Sequence, residues 1–339
     1  MKNYLAYSPK YDELTAAEEQ LLDKDVQLIE EAVSVSHRLN KKRISTRNAH
    51  AKSFGFVRGH FIPVKNKEVD ISEYFGGDNL GVIIRYSHPN FVVKNGNNEY
   101  PLYGSAIKIY NKNIAVSAKF PLVNFPVFVT NSVSKFLKLH IKANQYLISK
   151  SKVLPVSVFK LPGLLKAGLS LFADTQIFSI LNNTLKILDL EKQFIATYDF
   201  HSIGCFRLDD RIVKIRVTPT KKKKEVKNTD LKQAESLRTY FLSRDLSLDF
   251  QIQLATHEKK TPVNNLLKTW QEKHSKFITV GQIILPKQDI RNYETMDYEN
   301  LSFNPFENIE ALQPVGRMQK IRQKIYNKSV ETRQKLNKA

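Results

Sequence analysis

The chain has 339 residues, 42% of them hydrophobic and 10% aromatic, which excludes wholesale disorder and allows one large mixed domain or two ordinary ones. Its formal net charge is +20, from 53 Lys and Arg against 33 Asp and Glu, which points to anionic partners such as nucleic acid, a membrane surface or acidic small molecules. A lone cysteine, Cys205, excludes an internal disulfide and a cysteine-based zinc site.

Met1-Lys2-Asn3-Tyr4 leads into charged residues rather than an apolar stretch, so no signal peptide is expected and a soluble, cytoplasmic protein is the expectation. Thr15-x-x-Glu18 is a capping-box pattern, and Leu21, Leu22, Leu28, Ile29 and Val33 follow at helical spacing, predicting an amphipathic helix over 15–37. We take 1–40 as an N-terminal helical arm ahead of one domain over 41–339. The texture then changes to short β-rich runs at 54–64, 81–85, 104–110 and 128–130. Turn signals separate them, at Gly76-Gly77-Asp78-Asn79 and Asn95-Gly96-Asn97-Asn98.

A helix is predicted over 132–149, with Val133, Phe136, Leu137 and Ile141 on one side. The apolar region 153–181 is interrupted by Lys160, Pro162, Lys166 and Asp174, so it reads as helical core rather than a membrane span. Strands are predicted at 206–216, 247–254 and 277–285, and a long basic helix over 315–338. Strands on both sides of helical inserts give an α+β class with one antiparallel sheet or closed barrel. The basic clusters, Lys41-Lys42-Arg43, Lys221 to Lys224 and the last helix from Arg317, read as solvated loops and faces. Nucleic-acid binding is therefore not expected.

Two places could carry chemistry. Arg47-Asn48-Ala49-His50-Ala51-Lys52 opens the first β-rich run as a basic patch around a histidine. Arg322 and Tyr326 stand four residues apart, hence on one face of the last helix. Each is compatible with plain packing when taken alone.

Together, and in order, these motifs resemble the catalase superfamily, in its short catalase-like haem proteins and the related allene-oxide-synthase-like branch. Arg47-x-x-His50-Ala51-Lys52 is similar to the distal-histidine motif. Gly104-Ser105-Ala106-Ile107-Lys108 is similar to a Gly-x-Ala-x-Lys strand, and Asn124-Phe125-Pro126-Val127-Phe128 to the turn before a Pro-Val-Phe strand. Phe206-Arg207 with Val213-Lys214, the 248–254 run with Trp270 and Ile283, and 301–306 continue the match to about residue 335.

The resemblance implies a closed antiparallel β-barrel with surrounding helices and haem b (iron) between barrel and helices. It implies Tyr326 as the metal ligand and Arg322 as its partner. It also implies His50 and Asn124 as catalytic groups, Arg47 and Arg333 on haem propionates, and Phe136 as an aromatic over the haem. A phenol ordinarily stays protonated at neutral pH, whereas metal coordination and a neighbouring cation both favour the phenolate. An anionic oxygen ligand in turn favours ferric iron.

The family's double Asn before Thr-Pro reads Val123-Asn124-Phe125-Pro126 here, so the Asn124 assignment turns on register. The strand that often supplies another propionate-binding arginine reads Glu99-Tyr100-Pro101-Leu102-Tyr103-Gly104, without one. The expected function is a haem-dependent hydroperoxidase acting on hydrogen peroxide or organic hydroperoxides. One alternative is a fatty-acid hydroperoxide isomerase or lyase of the allene-oxide-synthase type. Another is a non-enzymatic basic β-barrel that binds anionic lipid or nucleic acid. An anionic membrane surface and a homo-oligomer are further partner expectations.

Overall fold

In the computed structural model the described residues are 4–338, apart from 78, 91–99, 153, 172–176, 222–231 and 291–295. The turn expected at 95–98 and the basic residues 222–224 lie outside them. The elements run α1 (Ala16–Asn40), β1 (Ser53–Pro63), β2 (Leu80–Ser87), β3 (Gly104–Asn111), β4 (Ser117–Val123), α2 (Val133–Lys152), α3 (Leu154–Leu169), α4 (Ile177–Leu188), β5 (Phe200–His201), β6 (Cys205–Leu208), β7 (Arg211–Pro219), α5 (Gln233–Ser243), β8 (Leu246–Leu254), β9 (Ile278–Leu285), α6 (Met296–Asn300), β10 (Pro314–Val315) and α7 (Arg317–Lys338).

All strand pairs are antiparallel. Eight strands follow one another as β7-β5-β4-β3-β2-β1-β9-β8, and β8 pairs back to β7, so the sheet closes into a barrel with β6 and β10 attached beside β7. Closure removes the exposed edges that would otherwise template pairing with other chains. The interior is a single apolar core. Phe61 meets Phe250 edge-on at 5.6 Å between centroids, and Phe120 meets Phe250 at 5.3 Å. Gly281 makes room for this packing, because a Cβ there would stand 2.1 Å from the Phe61 ring.

Helices cover part of the barrel's outer surface. The capping box forms as its sequence predicts, with Glu18 N donating to Thr15 Oγ1 at 3.3 Å and Thr15 N to Glu18 Oε2 at 2.9 Å, a device worth about 1 kcal/mol. Leu22, Ile29 and Val33 of α1 then pack with Val133 and Leu137 of α2 and Ile321 and Ile325 of α7 in a second core. The three helices form one layer.

Four local expectations differ from the structure. Residues 128–130 form no strand, and Phe128 N instead donates to Leu266 O at 2.8 Å. The neighbouring strand is β4, whose alternation is disguised by Pro121. The run 206–216 is a hairpin, β6 and β7, turned at Asp209 with φ +56°. The last helix begins at Arg317, because Pro314 and Val315 pair with Phe206 and Cys205 and Gly316, at φ +115°, breaks the direction.

Candidate active site

Strand alternation decides which side chains leave the barrel. On β2, Val82, Ile84 and Tyr86 enter the interior core, so Arg85 and Ser87 turn outward, yet every residue of β2 is buried. On β4, Ala118, Phe120 and Leu122 point inward, and Val123 turns outward. Outside this patch of sheet, α2 and α7 enclose a cavity of about 310 Å³, within the range of small-molecule and cofactor sites.

Six of the seven residues singled out from the sequence line this cavity: Arg47, His50, Phe136, Arg322, Tyr326 and Arg333. The seventh is not brought to it. Asn124 Oδ1 accepts from Tyr103 N at 2.7 Å and its Nδ2 donates to Pro101 O at 2.8 Å, so the buried amide ties β4 to the segment entering β3. The neighbouring Val123 takes the place on the cavity wall.

His50 sits at φ +54°, in the left-handed region, a cost that surrounding structure must hold in place. Arg85 Nη2 donates to the His50 carbonyl at 2.6 Å, and the ring Nδ1 lies 3.0 Å from Ser87 Oγ. Burial, together with the nearby Arg85, His88, Arg322 and Arg47 side chains, pushes the imidazole pKa down to about 3. It is neutral across the physiological range, with one nitrogen available as a base.

On α7, Arg322 Nη2 donates to Tyr326 Oη at 2.9 Å, and the guanidinium stands 5.2 Å from the Tyr326 ring centre. The phenol oxygen thus accepts a charge-assisted hydrogen bond from a permanent cation. Seven residues on, Arg333 is 2% exposed.

Three guanidinia converge at the cavity. Arg47 Nη1 lies 2.7 Å from Glu299 Oε1, in a direction that leaves both atoms without a hydrogen bond, and Arg333 Nε lies 3.9 Å from the same oxygen. Arg85 Nε is likewise buried without a hydrogen bond. Burial and mutual repulsion push Arg85 and Arg333 each down to about 9. Both remain protonated at neutral pH, so the cluster holds three cations around one close carboxylate, Arg85 and Arg333 buried and Arg47 with 12% of its side chain exposed.

Arg85 and Ser87 were not legible as functional, although a charged residue inside an otherwise apolar strand is a signal. His140 also lines the cavity. Its Nδ1 is 2.7 Å from Asp25 Oδ2 on α1, and its ring stacks on Phe136 at 5.6 Å between centroids. Asp25 and His140 lie 115 positions apart, so no local pattern announces the pair. Among the described residues no cluster of three His, Cys, Asp or Glu could hold a metal; a phenolate ligand lies outside that set.

No protein-family model and no curated protein matches the chain. Solved structures do. It superposes on catalase A from Saccharomyces cerevisiae with a TM-score of 0.65 at 16% identity, over 88% of this chain and 63% of that one. A fungal catalase gives 0.64 at 17% identity, over 88% and 61%. The chain has a catalase-like fold. A bacterial catalase gives 0.63 at 16% identity, over 87% and 58%. This catalase-like chain spans about three fifths of the length of the catalases it matches.

Proposed function

We propose that the cavity binds haem b and that the chain is a haem-dependent hydroperoxidase. The observation that carries this reading is the Arg47, Arg85 and Arg333 cluster, in the same cavity as an Arg-held phenol and a neutral imidazole. Three guanidinia around one close carboxylate leave positive charge that the two propionates of a haem would neutralise bidentately. The Tyr326 oxygen would hold the metal, and once coordinated would be a hard anionic ligand suited to ferric iron. Phe136, Phe128, Leu266, Met318 and Ile325 supply the apolar lining that a macrocycle requires. The donor set fits the group.

Bound there, ferric haem would supply the two electrons that peroxide O–O cleavage consumes, and a second hydrogen peroxide or an organic donor would return them. The chain's own residues handle the proton. When His50 Nδ1 carries hydrogen and donates to Ser87 Oγ, Nε2 is free to accept the hydroperoxide proton and return it to the departing oxygen, which leaves as water or an alcohol. Arg322 holds the phenol oxygen on the metal side. Hydrogen peroxide and organic hydroperoxides are both substrates in this reading. Val123, apolar at the wall position beside Asn124, favours the organic class and supports a second reading, the hydroperoxide isomerase or lyase, although Asn48, Asn304 and Gln319 also reach the cavity.

Purified protein supplemented with haem should show a Soret band and peroxide turnover, both lost in Tyr326→Phe. Absence of the band in wild type, or undiminished turnover in the variant, overturns the proposal. Dioxygen release from hydrogen peroxide, set beside product analysis on a polyunsaturated hydroperoxide, separates the two reactions.

A further inference from the structure

A helix on a protein surface ordinarily turns a polar face to water. Helix α4 adds an exposed apolar stripe to its exposed polar residues Ser179, Asn182 and Lys186. It buries Ile180 and Asn183, while Phe178, Leu181, Leu185 and Leu188 follow at spacings of three and four on the opposite side and are exposed, Phe178 at 84%. Helix α3 repeats the pattern with Leu161, Leu165 and Leu169 at a spacing of four, Leu169 at 70%. Seven of the thirteen large hydrophobic side chains exposed among the described residues fall in 161–188. Scattered exposed leucines need no explanation, but this concentration does.

Charge selects the occupant. Residues 131–188 contain eight lysines and one acidic residue, Asp174, and Lys160, Lys166 and Lys186 on the two helices are exposed. A two-fold contact with a second copy would set this lysine-rich surface against itself. An anionic bilayer offers the opposite, headgroups for the lysines and an acyl boundary for the apolar stripes. Among the described residues no helix is long and apolar enough to cross a membrane, so the helices would lie in the interface. Helix α3 packs on α2, the helix that lines the cavity with Phe136 and His140.

We propose that α3 and α4 form a docking surface for an anionic lipid bilayer, with the exposed Leu and Phe stripes in the acyl boundary and the lysines on the headgroups. The inference stands on exposure and charge and does not require the haem reading. The test is flotation of the full chain with vesicles of phosphatidylcholine alone and with about 30% phosphatidylserine. Wild type floats with the anionic vesicles and not with the neutral ones, and added salt weakens the association. Phe178→Ser with Leu185→Ser lowers partitioning roughly tenfold or more, with an unchanged circular dichroism spectrum. Lys160→Glu, Lys166→Glu and Lys186→Glu together do the same. Three results overturn the proposal: no flotation with anionic vesicles, full flotation of both variants, or a wild-type dimer in gel filtration that the Phe178/Leu185 variant converts to monomer.

Discussion

Gly104 lies directly against the His50 imidazole: a Cβ at Gly104 would stand 2.7 Å from both Cε1 and Nδ1 of the ring and 2.9 Å from Ser87 Oγ. Gly104 is also the cross-strand partner of Ser87. One missing side chain therefore lets strand β3 approach the His50–Ser87 pair.

Gly104→Ala should leave the barrel folded and displace the ring. A shift of about 1 Å in a reacting group costs on the order of a hundredfold in rate. Circular dichroism should match wild type, the Soret band of the haem-supplemented protein should persist, and kcat/KM for peroxide should fall by at least about tenfold. Wild-type turnover in this variant would remove His50 from the chemistry.

The arginine cluster predicts opposite effects on stability and on cofactor affinity. Arg85 and Arg333 are both held below their ordinary range by burial and by the neighbouring Arg47. Arg333→Met keeps most of the apolar stem and removes one of three cations around Glu299. The ligand-free protein should melt at the same temperature or about 2 °C higher, while haem affinity falls by roughly tenfold or more. A lower Tm with unchanged haem affinity would show the cluster to be structural.

The ordered motifs made the barrel and six of the cavity residues legible, because Arg47 and His50 fall just ahead of β1, Phe136 falls in the first turn of α2, and a single helix carries Arg322, Tyr326 and Arg333. Arg85 and Ser87 escaped notice because β2 is buried on both faces, so its apolar run conceals which residues leave the barrel. The Asp25–His140 pair joins two helices distant in sequence. Tertiary packing alone makes it.

Protonation links the site to stability. His50 titrates near 3 in the fold, against an ordinary value of about 6.5, so below pH 6.5 the unfolded chain takes up a proton that the folded one refuses. Stability is therefore lost as pH falls from about 6.5 toward 3, by about 1 to 2 kcal/mol between pH 7 and pH 5 from this group. His201, pushed down to about 4 by burial, adds in the same direction. Urea unfolding at both pH values should show the gap between wild type and His50→Asn changing by that amount, and parallel profiles would contradict it. Activity, by contrast, should be insensitive to His50 titration from pH 5 to 8, since the base is already neutral there.

The exchange of roles between Val123 and Asn124 makes the last prediction. Removing the Asn124 amide leaves the Tyr103 N–H and the Pro101 carbonyl unpaired in a buried site, so Asn124→Ala should cost about 2 to 4 kcal/mol of stability with little change in kcat/KM per folded molecule. Val123→Asn places a further amide at the β4 end of the cavity wall, which Asn48, Asn304 and Gln319 already line elsewhere. Hydrogen peroxide is too small to gain from apolar contacts and depends on hydrogen bonds to be held, whereas under the proposed function an organic hydroperoxide would be held by its alkyl group against Phe128, Phe136 and Leu266. The variant should shift kcat/KM toward hydrogen peroxide relative to cumene hydroperoxide by about tenfold. An unchanged ratio in Val123→Asn, together with lost turnover in folded Asn124→Ala, would return the distal amide to Asn124 and require β4 to shift its register by one residue.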